Sequence, residues 1–77
     1  MASDEWRRRR DLEGGKQVLV WVRESRDEEL VVEDHTYYGG GYRIYRHDLA
    51  ADSRERIGTY AGPEEATDRA IAELARR

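Results

Sequence analysis

Cysteine is absent from the 77 residues, so the chain has neither a disulfide framework nor thiolate chemistry. Phenylalanine is absent as well, and hydrophobic residues reach only 38%. A chain this short buries about 60–65% of the surface its unfolded form exposes, so its core must be thin. Pro63 is the only proline and Lys16 the only lysine. No apolar run approaches the ~20 residues of a membrane-spanning helix. The first residues carry charge without an apolar stretch, which argues against a secretory signal and for a cytoplasmic location.

Charge is abundant: 40% of residues are Asp, Glu, Lys or Arg, against about 25% in an average domain. The formal net charge of −3 favours solubility and disfavours a polyanionic partner. Arginines are scattered over every segment, which reads as compositional bias rather than one recognition cluster. The apolar residues fall into periodic runs, which argues against global disorder.

The clearest signal lies at residues 57–77. Ile57-Gly58-Thr59-Tyr60-Ala61 is strand-like, and Gly62-Pro63 breaks it. Pro63 suits a first helical position, with φ already set and no N–H to lose. Glu64 and Glu65 then occupy the first turn and Arg76 and Arg77 the last, each complementing the helix dipole. Ala66, Ala70, Ile71 and Leu74 share one face, which must lie on an apolar layer.

That layer comes from the preceding residues. Strands are expected over Lys16 to Glu24, Glu28 to Tyr38, Tyr42 to His47 and Glu55 to Ala61. Ser25-Arg26-Asp27, Gly39-Gly40-Gly41 and the polar segment Asp48 to Arg54 separate them. The expected fold is α+β: a four-stranded antiparallel meander with one C-terminal helix packed on one face. Residues 16–77 form this single domain, and residues 1–15 are expected to be a flexible or marginally helical tail. In that tail Ser3 is the candidate cap and Gly14-Gly15 the stop.

Cross-strand complementarity suggests a register. Val22 would face Leu30, Val20 would face Val32, and Arg23 would face Glu29. Tyr38 would face Tyr42, Asp34 would face Arg46, and Glu33 would face His47. Ile57 would face Ile44, which puts Glu55 opposite Arg46. Val18, Val20, Val22, Leu30, Val32, Tyr38, Tyr42, Ile44 and Ile57 then lie under the helix. The other face carries Leu19, Trp21, Val31, Tyr37 and Tyr45, ringed by Arg23, Glu29, Glu33, His35, Arg43 and His47. An uncovered aromatic face of this kind usually marks a binding surface.

Three readings of that face compete. A homodimer or protein partner would hide it, with Trp21, Tyr37 and Tyr45 as anchors, Leu19 and Val31 between them, and Arg23 and Arg43 at the rim. A nucleic acid could stack on the same aromatic rings, with phosphates held by arginines that include Arg7, Arg8, Arg9 and Arg10. Alternatively, the tail folds back and Trp6 or Leu12 covers the patch. The first reading is the expected one, because the acidic balance opposes a polyanion and Asp4, Glu5, Asp11 and Glu13 flank the arginine run.

Other constellations are weaker. Gly39-Gly40-Gly41 is followed by strand-like residues, so it reads as a hairpin turn rather than a phosphate loop. His35 and His47, beside Asp34 and Asp48, lack metal-ligand spacing, and no metal or cofactor is expected. A Glu33–His47 acid–base dyad would need a pocket that a single-helix sheet does not obviously supply, so the chain is read as non-enzymatic. In its order of elements, the segment from about Tyr42 to Leu74 resembles the arm-type DNA-binding modules of phage integrases and the plant ethylene-response type. Those modules also place three strands before a helix. The shared residues, Gly58-Thr59-Tyr60 and Glu64-Glu65-Ala66, are generic to strand–turn–helix units, and no family is assigned on them.

Overall fold

A computed structural model describes residues 6–10 and 16–75. The expectations for Ser3, Leu12, Gly14-Gly15, Arg76 and Arg77 lie outside these residues. Strands β1 (Arg7–Arg9), β2 (Gln17–Arg23), β3 (Glu28–Asp34), β4 (Tyr42–Asp48) and β5 (Ser53–Tyr60) precede the helix α1 (Pro63–Leu74). The strands form one antiparallel sheet in the order β1-β2-β3-β4-β5. The fold is α+β, with five strands in the meander rather than four. The extra strand is part of the arginine run, expected to be flexible or marginally helical. Arg7, Arg8 and Arg9 pair with Val22, Trp21 and Val20.

The register of β2 differs from the expected one by a single residue. Trp21 lies opposite Leu30, Leu19 opposite Val32, and Val20 opposite Val31, with an irregularity between Gln17 and Leu19. A one-residue slip sends every side chain to the other face. Leu19 and Trp21 therefore pack towards the helix with the core residues Leu30, Val32 and Ile44. Val20 turns to the opposite side between Arg9 and Val31. Both faces of β2 are apolar, so alternation alone does not choose between them. Placing the larger Leu and Trp against the core buries more apolar area than placing three valines there.

The β3–β4 connection is longer than expected. Asp34, not Tyr38, lies opposite Tyr42. The Asp34 carboxylate accepts hydrogen bonds from the Thr36 N–H at 2.8 Å and from the Thr36 hydroxyl. This local bonding diverts the chain into a 3₁₀ turn over Thr36–Tyr38. Gly39 and Gly41 follow at φ 75° and 69°, where a side chain would be strained. At Gly41 a Cβ would also stand 2.6 Å from the Tyr60 carbonyl oxygen.

Between β4 and β5, Glu55 faces Arg46 as expected, but Gly58 rather than Ile57 faces Ile44. The missing side chain at Gly58 leaves room for the Tyr60 ring to fold back over it. A Cβ there would come within 2.7 Å of the Tyr60 hydroxyl. Ile57 becomes the extra residue of a bulge and still packs against the core.

The helix opens as the sequence dictates. The Gly62 N–H donates to the Glu65 carboxylate at 3.2 Å, and Pro63 takes the first position. Its buried stripe is Ala66, Ala70 and Glu73, with Leu74 partly buried against the core. Ile71, expected in the stripe, is 52% exposed. Glu73 is 4% exposed, accepts from Arg46 at 2.9 Å and is ion-paired with Arg69 at 3.1 Å. Two alanines at the contact let the helix axis approach the sheet closely. The stripe then rotates towards 66, 70 and 73, where the Arg46 guanidinium neutralises a carboxylate. Among the described residues, no helix is long and apolar enough to cross a membrane.

Candidate functional site

The helix covers one face of the sheet, and the pairing register assigns the other. Opposed residues of antiparallel strands share a face, so the rows can be followed across the sheet. One row runs Arg7, Val22, Glu29, His47, Arg54. The next runs Arg9, Val20, Val31, Tyr45, Arg56. A third joins Gln17, Glu33, Arg43 and Thr59. This open face holds five arginines against two glutamates, a net +3 with neutral histidines, in a chain whose total is −3. The acidic excess lies elsewhere, including Glu64, Glu65 and Asp68 on exposed positions of α1.

Side chains rise from the middle of this face to enclose a groove of about 310 Å³, lined in part by Arg9, Glu29, Val31, Glu33, His47 and Arg54. Its acids are compensated. Arg9 reaches Glu29 at 2.7 Å, and His47 Nδ1 stands 3.8 Å from the same carboxylate. Arg54 donates to Glu33 at 2.8 Å while lying 4.2 Å from the centre of the Tyr45 ring. His35 Nε2 is 2.9 Å from the other Glu33 oxygen. Arg7 pairs with exposed Glu24 at 2.6 Å. Arg43 and Arg56 have no ion pair among the described residues.

Burial alone would raise the Glu33 pKa. The hydrogen bonds from His35 and Arg54, together with their charges, outweigh it and hold the carboxyl below its ordinary 4.5. A carboxylate with a lowered folded-state pKa contributes stability that is complete above the unfolded value and is lost as pH falls through the folded one. The urea midpoint should therefore decline from about pH 5 downwards. Glu33→Gln should flatten this part of the acid limb. An unchanged limb would assign it to other carboxylates. Asp34, bonded by the Thr36 hydroxyl and N–H, is lowered in the same direction.

The expected interaction residues divide. Val31, Tyr45 and Arg43 are on the open face, with Val31 buried and Tyr45 half-buried beneath Arg54. Leu19 and Trp21 are on the helix side. Arg23 is there too, buried, with its guanidinium 4.5 Å from the Trp6 ring centre and 3.6 Å from Glu28. Tyr37 is outside the sheet, 88% exposed in the β3–β4 connection. Trp6 does pack against the cluster containing Trp21, as the fold-back alternative has it, but on the side that α1 occupies. Of the arginine run, Arg7 and Arg9 are on the open face and Arg9 lines the groove, Arg8 stacks 5.8 Å from the Trp21 ring centre, and Arg10 is exposed.

Glu29, Glu33, His35, Arg43 and His47 occupy the face on which alternation places them. Glu33 and His47 are not opposed: His47 faces Glu29, and Arg43 faces Glu33. Sequence reading missed Arg54 and Arg56 as face residues. The signal was available, since arginines two apart in a strand share a side, as do Arg7 and Arg9. Among the described residues, no three His, Cys, Asp or Glu side chains gather as metal ligands.

Compared with protein-family models, with curated proteins and with solved structures, the chain matches none.

Proposed function

We propose that this chain is a non-enzymatic binding module whose open sheet face takes a nucleic-acid backbone. One observation carries the reading: the register gathers Arg7, Arg9, Arg43, Arg54 and Arg56 on the side away from the helix. It also turns Leu19 and Trp21, the greasy residues a protein interface would need, towards the helix. The outer strands stand about 19 Å apart, four interstrand steps of about 4.8 Å. Arginines thus frame both edges, which suits contact with successive phosphates, while Glu29 and Glu33 between them are already neutralised. A modest affinity is expected, because the whole-chain charge opposes a polyanion and only the local field favours it.

Fluorescence anisotropy with a labelled oligonucleotide tests this. Binding at about 50 mM salt should weaken steeply as salt rises, because each phosphate contact releases condensed counterions. Arg54→Glu with Arg56→Glu should abolish it. Light scattering should give the mass of one chain throughout. No binding at low salt, or a stable dimer mass that Arg54→Glu with Arg56→Glu disrupts, would sink this reading in favour of a protein interface.

A further inference from the structure

Two large side chains stand in solvent at the end of the sheet. Tyr37 is 88% exposed and Tyr38 75%, with ring centres 5.0 Å apart and planes at 88°. The segment that carries them is tied at both ends. His35 N–H donates to the Gly41 carbonyl at 2.7 Å, and the Tyr38 and Gly40 amides both donate to the His35 carbonyl, at 3.1 and 2.8 Å. Gly39 N–H donates to Thr36 at 2.9 Å. The rings are therefore held out on a hydrogen-bonded turn, with no apolar neighbour covering them among the described residues.

Cations flank the pair. The Lys16 ammonium is 5.6 Å from the Tyr38 ring centre. Gly40 lies against the Arg43 guanidinium, where an added Cβ would be 3.0 Å from Nη2. Because Arg43 belongs to the open face, the turn leans over the end of the arginine-bearing rows. A line of positive side chains thus ends at two exposed aromatic rings.

From this juxtaposition, and resting on the polyanion reading above, we propose that Tyr37 and Tyr38 are a base-stacking element and that the ligand is single-stranded nucleic acid. Backbone phosphates would lie along Arg56, Arg43 and Lys16, and unpaired bases would stack on the tyrosines. Bases within a duplex are already stacked on one another and present no free π-face to such a ring. Stacking on aromatic side chains is largely indifferent to sequence, because every base presents a π-face.

The test compares a labelled single-stranded oligonucleotide with the duplex of the same sequence, using the full chain. Tyr37→Ala with Tyr38→Ala should lower single-strand affinity about 10- to 100-fold while leaving the salt slope and the melting temperature unchanged. Tyr37→Phe with Tyr38→Phe should retain binding, since a phenyl ring stacks as well. Equal single-strand affinity in the alanine variant, or tighter binding of the duplex by the parent protein, would overturn the stacking assignment alone. No binding of either oligonucleotide by the parent protein would overturn both readings.

Discussion

Ile44→Ala should cost about 3–5 kcal/mol, the largest loss of any single truncation in this fold. Ile44 is 0% exposed at the centre of β4, flanked by Val32 and Gly58 and packed in one cluster with Ala66 and Ala70 of the helix. Each of these neighbours is small or already in contact. The helix and sheet backbones cannot close on the space left by the lost methyl groups, so a cavity adds to the lost transfer energy. For a chain of this length, total stability is about 4–12 kcal/mol, so the variant should stand near the edge of folding. A fall in Tm of more than about 10 °C, or a population already unfolded at 25 °C, is the expected result. Tyr45→Ala, on the half-buried open face of the same strand, should cost clearly less. Equal losses at the two positions would mean that the core does not lie under the helix.

The second large effect is electrostatic. Arg46→Ala with Arg69→Ala removes two cations from Glu73, whose side chain is 3% exposed. Taking charge out of water is costly, and it is tolerated here because the Arg46 guanidinium donates directly to the carboxylate and Arg69 is paired with it. The double variant should lose about 2–4 kcal/mol in urea unfolding, even though both arginines are partly solvated. Adding Glu73→Leu should restore most of the loss, since an apolar group of similar volume needs no counter-charge in that position. A triple variant no more stable than the double would place the arginines' contribution in packing of their stems rather than in charge.

Much of the architecture was legible from local chemistry. Gly62-Pro63 followed by Glu64 and Glu65 determines where α1 begins, because the constraint is covalent and within one turn. Alternation determined that Glu29, Glu33, His35, Arg43 and His47 share a face, because the register error at the β3–β4 hairpin was an even number of residues and left the sides unchanged. The strand at Arg7–Arg9 was not legible. Three arginines have no apolar alternation, and they become a strand only because β2 offers an unpaired edge and Glu24, Glu29 and Trp21 offer partners.

The candidate site turned on a choice that no local rule makes. With valines on one side of β2 and Leu19 and Trp21 on the other, both registers satisfy the two-residue period. The sequence by itself determined the α+β class and where the terminal helix begins, and it placed Glu29, Glu33, Arg43 and His47 on one face, but as the rim of an aromatic patch. Only tertiary packing decided that Leu19 and Trp21 join the core, because the larger side chains exclude more water there. That same choice left the opposite face to arginines rather than to rings.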